Sequence, residues 1–223
     1  QELLFNFIPG WVNQTFVGSY GPTVPTVAAC ATAAVSLGVG YDLIKSGKAD
    51  FVVTGASDDL NEEGSIGFGD MGATVDCDEM LAKGVAPNQM SRPNDRRRNG
   101  FIEGQGGGVL LLAKLSKAVE MGLPVYAALA FTATHSDGHQ TSIPAPGLGL
   151  VNIAEKDAGI DGEAPLISAL SKFNLGVDDI HVVSKHDTST NLNDSNENDL
   201  HQRIAKKLGR KDGNPILVHS QKS

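Results

Sequence analysis

The order of apolar runs along the chain predicts an α/β fold. Two stretches carry that reading. In the first, the β-prone run Val24 to Ala29 leads into a small-residue helical stretch, and the continuous apolar strand Phe51 to Ala56 follows. In the second, the strand His181 to Ser184 is followed by a helical stretch and then by the strand Ile216 to His219. The first of these, a strand–helix–strand unit, implies parallel pairing.

Taken in order, residues 1 to 20 are apolar and aromatic, broken at Pro9-Gly10-Trp11, and read as a buried segment. Residues 31 to 45 form a helix with apolar positions on all sides, which predicts a central, buried place. Ser46-Gly47 ends it, with glycine where helices commonly stop. Residues 57 to 99 are polar and glycine-rich and read as irregular, a length of loop that is usually functional or an interface. A strand follows at Val109 to Leu112 and a helix at Ser116 to Met121, stopped by Gly122-Leu123-Pro124. Val125 to Ala133 reads as a further strand, and Thr134 to His139 as a polar loop at its end. Pro144-Ala145-Pro146-Gly147 is a turn, followed by one helix to Lys156 and another from Ala164 to Phe173. After the strand at His181, a capping pattern predicts a helix from near Ser195 to about Leu208, with Glu197 in its first turn.

Composition narrows the function classes. The 223 residues are 40% hydrophobic and 20% charged, which suffices for a large core in a water-soluble chain. A net charge of −8 argues against nucleic acid or an anionic membrane surface as main partner. Two cysteines do not make a disulfide framework, so a reducing compartment, the cytoplasm, is expected. Both ends read as cut from a longer polypeptide: Gln1 starts mid-pattern, and the sequence stops directly after a strand.

Chemistry concentrates at two places. Cys30 sits where the apolar run turns into the helix, among Ala28, Ala29, Ala31 and Thr32. A thiol at a helix start faces unpaired N–H groups and the positive end of the dipole, which favour the nucleophilic thiolate. Small neighbours leave room for something to approach the sulfur, much as in a nucleophile elbow with sulfur replacing oxygen. His186 lies just past a strand end and before Thr188, Ser189 and Thr190, a position typical of solvent-facing or catalytic imidazoles. Other features are set aside. Cys77, among Asp76, Asp78 and Glu79, is a bystander. The glycines from Gly100 to Gly108 precede a strand instead of following one, so they do not form a dinucleotide-binding loop; close backbone packing is expected. His135 and His139 lack further ligands for a metal.

Together the motifs resemble the β-ketoacyl synthase (ketosynthase, or condensing enzyme) family of the thiolase superfamily. The likeness is to the ketosynthase domain of bacterial/fungal-type type I fatty acid synthases. Gly21-Pro22 through Cys30-Ala31-Thr32-Ala33 resembles the nucleophile motif. Glu62-Glu63-Gly64-Ser65, Met90-Ser91-Arg92-Pro93 and Arg98-Asn99-Gly100-Phe101 are similar to the type I version. His186 with Thr188-Ser189-Thr190, Asn193-Asp194 and Glu197 resembles the first histidine motif, and Ser220, Lys222 and Ser223 the opening of the second. Departures are Asp187 where the family has glycine, Gln105 where Glu is frequent, and Asn191 where type I relatives often carry Lys.

The resemblance implies a thiolase-like layered α-β-α-β-α fold, incomplete at both ends. Residues 1–223 would be a ketosynthase domain fragment lacking its N-terminal part and the C-terminal part with a second catalytic histidine. It implies decarboxylative condensation of an acyl-Cys30 enzyme with malonyl thioester in fatty acid chain elongation. His186 and Lys222 would be catalytic, and Thr188 and Thr190 would contact the phosphopantetheine arm. No cofactor is bound directly; the arm is presented by acyl carrier protein. Other synthase domains and a homodimer within a larger homo-oligomer are the further partners implied. A thiolase-like acyltransferase and a non-catalytic, chain-length-factor-like subunit are the alternatives.

Overall fold

A computed structural model describes residues 7–136, 149–156 and 162–222. In chain order the α-helices are α1 (Phe7–Val12), α2 (Thr32–Lys45), α3 (Glu62–Asp70), α4 (Cys77–Ala82), α5 (Leu115–Glu120), α6 (Pro165–Ser171) and α7 (Asn191–Lys207). The strands are β1 (Phe51–Asp58), β2 (Gly106–Ala113), β3 (Val182–Lys185) and β4 (Leu217–Ser220). The chain divides into two compact units, Gln1–Asp58 with Gly106–Thr134, and Asp59–Gln105 with His135–Ser223.

In the first unit β1 pairs antiparallel with β2 over their whole length, from Phe51 opposite Ala113 to Asp58 opposite Gly106. This corrects the parallel strand–helix–strand unit expected from the sequence. The run Val24 to Ala29 joins no ladder among the described residues. Pro22 and Pro25 remove donors close to or within that run, whereas Gly106–Ala113 offers an uninterrupted set. Val125 to Ala133, also expected as a strand, has no ladder partner either. The three glycines Gly106 to Gly108 lie inside β2, but the close packing expected of them holds only at Gly107, where a Cβ would come within 3.2 Å of Ser57 Cβ; at Gly106 and Gly108 it would meet nothing within 4 Å.

Helix α2 ends as predicted, with Ser46 as C-cap and Gly47 left-handed at φ 72°. It lies on the β1–β2 ladder, and Gly40 makes the approach close. A side chain there would meet Thr54 Cγ2 at 2.4 Å and Leu112 Cδ1 at 3.0 Å. The Gly55 N–H also donates to Ser36 Oγ across this contact at 3.2 Å. The central burial expected of α2 is not found, since Gly40 is its one buried residue. Two strands present one narrow face, enough to cover a single stripe of a helix. The N-terminal segment differs from its expectation as well: α1 is followed by a π-helical turn, with Trp11, Phe16 and Tyr20 exposed.

The second unit contains more regular structure than the polar composition of residues 57 to 99 suggested. Asn61 Oδ1 accepts from the Gly64 N–H at the start of α3, and Asp76 Oδ1 accepts from the Glu79 N–H at the start of α4. Acidic residues in each first turn then face the positive end of the helix dipole. What read as loop chemistry is helix capping. Met80, Val85 and Met90 form one small core here, and Val151, Ala154 and Ile204 another. The helix expected to run to Lys156 is a 3-10 helix over Gly149–Ala154. Strands β3 and β4 are parallel, Val182 opposite Leu217 and Lys185 opposite Ser220, with α7 as the crossover. That helix begins at Asn191, not near Ser195. Thr190 is the residue that caps it, its hydroxyl accepting from the Asn193 N–H at 3.3 Å. The turn expected at Pro144 to Gly147, and the part of the Thr134 to His139 loop beyond Ser136, lie outside the described residues.

Candidate active site

Cys30 sits in the 3-10 turn Ala29–Ala31 that runs directly into α2. Ala29 occupies the left-handed region at φ 47°, which favours glycine and strains alanine. The turn is held by local bonds. Thr32 Oγ1 accepts from the Ala28 N–H at 2.9 Å and donates to the Ala29 carbonyl at 2.8 Å. The Ala31 N–H closes the turn on the Ala28 carbonyl. Cys30 is a free, exposed thiol at the entry of a 14-residue helix, as the sequence predicted. Cys77 is exposed too, as the first residue of α4.

The second unit brings the other four predicted residues to one edge. Because β3 and β4 are parallel and end level, the residues after them leave the sheet together. His186 follows Lys185, and Lys222 comes two residues beyond Ser220, the partner of Lys185. Ser91 Oγ reaches across to the Lys222 carbonyl at 3.1 Å. Burial holds the half-buried His186 imidazole below its usual pKa, and the nearby Lys222 ammonium adds to that effect. Glu197, Asp194 and Asp187 pull the other way. The net result is a neutral imidazole near pH 7, able to donate one N–H.

The backbone of His186 is fixed from α7. The His186 and Asp187 N–H groups donate to the two oxygens of Glu197 at 2.7 and 2.9 Å. Burial alone would raise the Glu197 carboxyl. Hydrogen bonds from His201 and from these two N–H groups outweigh it and hold the group at about 2. Thr188 and Thr190 pair through their hydroxyls at 2.9 Å. Thr190 is thereby shared between this pair and the helix cap.

Behind this loop lies a polar network that sequence reasoning did not anticipate. Lys185 Nζ donates to Asp187 Oδ1 at 2.6 Å and to Asn198 Oδ1 at 2.7 Å, with both charged side chains essentially fully buried. Asn94 Nδ2 donates to Asp187 Oδ2 at 2.8 Å. Arg98 donates to the Thr190 and Asn191 carbonyls and to Ser195 Oγ, and lies 3.5 Å from the buried Asp194. The Asn94 N–H donates to Asp194 at 2.9 Å, the Arg92 N–H to Ser189 Oγ at 3.0 Å, and the Gly100 N–H to the Ser189 carbonyl at 3.0 Å. The segment 91–100 is therefore the bed of the histidine loop. The one sequence signal for the ion pair was Asp187 standing where a glycine was expected. Among the described residues no group of His, Cys, Asp and Glu is arranged to hold a metal ion. No helix among them is long and apolar enough to cross a membrane.

The first unit carries a thiol at a helix start, and the second carries an imidazole near an ammonium at parallel strand ends. Residues 1–118 match the N-terminal domain of β-ketoacyl synthases and residues 126–223 match the C-terminal domain. The chain belongs to the β-ketoacyl synthase family. Over its whole length it is 44% identical to the fatty acid synthase alpha subunit stcJ of Emericella nidulans and 38% identical to fatty acid synthase 2 of Mycosarcoma maydis. It spans 14% and 6% of those relatives. The crystal structure of a β-ketoacyl synthase from Burkholderia phymatum is similar over 95% of this chain and 45% of that one, with a TM-score of 0.73 at 24% identity. This likeness establishes the thiolase-like α/β fold expected from the sequence.

Proposed function

We propose that residues 1–223 belong to the ketosynthase domain of a bacterial/fungal-type type I fatty acid synthase, working in the cytoplasm with Cys30 as nucleophile. The Cys30 thiolate attacks an acyl thioester carried on the phosphopantetheine arm of an acyl carrier protein. The acyl–sulfur bond to the arm breaks, and the arm leaves as a thiolate, which takes up the proton that Cys30 gave up, while Cys30 is acylated. The Cys30 N–H contributes to holding the oxyanion. A malonyl thioester then loses CO2. His186, neutral and donating, stabilises the enolate oxygen, and Lys222 tunes the field around the imidazole. The enolate carbon attacks the acyl-Cys30 carbonyl, forming the new C–C bond and releasing the thiolate. Thr188 and Thr190 line the approach of the arm. The partners are the carrier protein, the other synthase domains and further copies in a homo-oligomer.

The observation that carries this reading is the convergence of His186 and Lys222 at the ends of two parallel strands, in a chain that also exposes Cys30 at a helix start. Labelling the intact protein with iodoacetamide or cerulenin, read by peptide mass, tests it. Selective modification of Cys30, with loss of acyl transfer in Cys30→Ala, is expected. Absence of selective labelling favours a chain-length-factor-like subunit. Acyl transfer without CO2 release favours a thiolase-like acyltransferase.

A further inference from the structure

Asp187 is the least expected residue of the histidine loop. It stands at φ 37°, in the left-handed region where glycine is the ordinary occupant, and its side chain is fully buried. A buried carboxylate needs its charge answered, and here it is. Lys185, two residues earlier and on the other side of His186 in sequence, places its ammonium 2.6 Å from Asp187 Oδ1. The remaining acceptors of that ammonium are Asn198 Oδ1 at 2.7 Å and Asn94 Oδ1 at 3.3 Å. Asn94 Nδ2 occupies the second Asp187 oxygen, and Asn198 Nδ2 donates to Asn94 Oδ1 at 2.9 Å. The network is closed, and it draws together the end of β3, the loop bed and α7.

We propose that Lys185 and Asp187 form a matched pair of positioning residues that fixes the backbone of His186 from the buried side, opposite the grip of Glu197. The pair brackets His186, so any movement of the imidazole's Cα must stretch either the ion pair or the two N–H bonds to Glu197. The same pair accounts for a non-glycine residue in a left-handed seat: the Lys185 and Asn94 contacts offset the strain. Neither residue touches substrate in this scheme; both act through His186. The inference rests on His186 being a site residue, but its test uses no substrate, so it stands or falls apart from the condensing activity.

The test is an NMR titration and amide exchange measurement on the 223-residue chain. The charged groups facing the imidazole are Lys222 after β4, Glu197 and Asp194 on α7, and Asp187 in its own loop. Asp187→Asn keeps the side chain's shape but leaves the Lys185 ammonium without its counter-charge, and should lower the His186 midpoint by about half a pH unit. Lys185→Met leaves the carboxylate unanswered and should raise it by a similar amount. Each should speed exchange of the His186 and Asp187 amides about tenfold, while the Leu208 amide at the end of α7 stays unchanged. The double variant Lys185→Met with Asp187→Gly buries no charge and seats glycine at the left-handed position, so exchange should return to within about threefold of the parent. Asp187→Asn is the deciding variant. Unchanged midpoint and exchange in it overturn the proposal, and so does a shifted midpoint without faster exchange, because the pair then acts on charge alone.

Discussion

The Cys30 turn and the His186 loop are built in opposite ways. The Cys30 turn is local: every bond holding it runs between residues 28 and 32, its side chains are small, and the sulfur is exposed. The His186 loop is assembled from afar. Its partners come from residues 92 to 100 and from α7, and four of its six residues from Lys185 to Thr190 are buried. A nucleophile needs access and a helix start, which a short run of small residues supplies. An imidazole that must hold one hydrogen bond through a change of charge needs a rigid seat, which takes a network.

That contrast can be broken first at Asp194, where the largest effect is expected. Asp194→Ala removes the buried counter-charge of Arg98 and the acceptor of the Asn94 N–H, and should destabilise the chain by about 3 kcal/mol in urea unfolding. A loss below about 1 kcal/mol means the network is not the seat of the loop. The next effect is at Glu197. Its carboxyl, 4.5 when unfolded, is held at about 2 in the fold. A depressed carboxyl contributes stability that is complete above pH 4.5 and fades as pH falls through 4.5 toward 2. Glu197→Gln should cost about 2 kcal/mol at pH 7 and flatten that acid limb, as followed by unfolding midpoints across pH. The smallest change belongs to the Cys30 turn. Ala29→Gly relieves a left-handed alanine and should leave stability within about 1 kcal/mol of the parent, by thermal unfolding. A larger loss there would mean that the turn depends on more than its own five residues.

Much of the site was legible before any coordinates. Cys30 reads as a junction residue because β-prone and helix-prone runs meet there. His186 reads as a strand-end residue because a polar, hydroxyl-rich segment follows an apolar one. The errors share a cause. Val24 to Ala29 and Val125 to Ala133 have strand composition, yet pairing needs a partner edge, and the ladder of β1 went to β2. Asn61 with Glu62-Glu63, and Asp76 with Asp78-Glu79, looked like loop because their capping role depends on which N–H groups end up free.

Local chemistry along the chain was thus sufficient for the α/β class, the helix stops at Gly47 and Gly122, and the placing of Cys30 at a helix start and His186 at a strand end. Those are matters of nearest neighbours, where propensity and spacing act directly. The tertiary structure alone decided strand pairing, the start of α7 at Thr190, the convergence of His186 with Lys222, and the buried Lys185–Asp187 pair. Each of these joins residues distant in sequence or depends on which groups lose water on folding, and neither property is written in a local pattern.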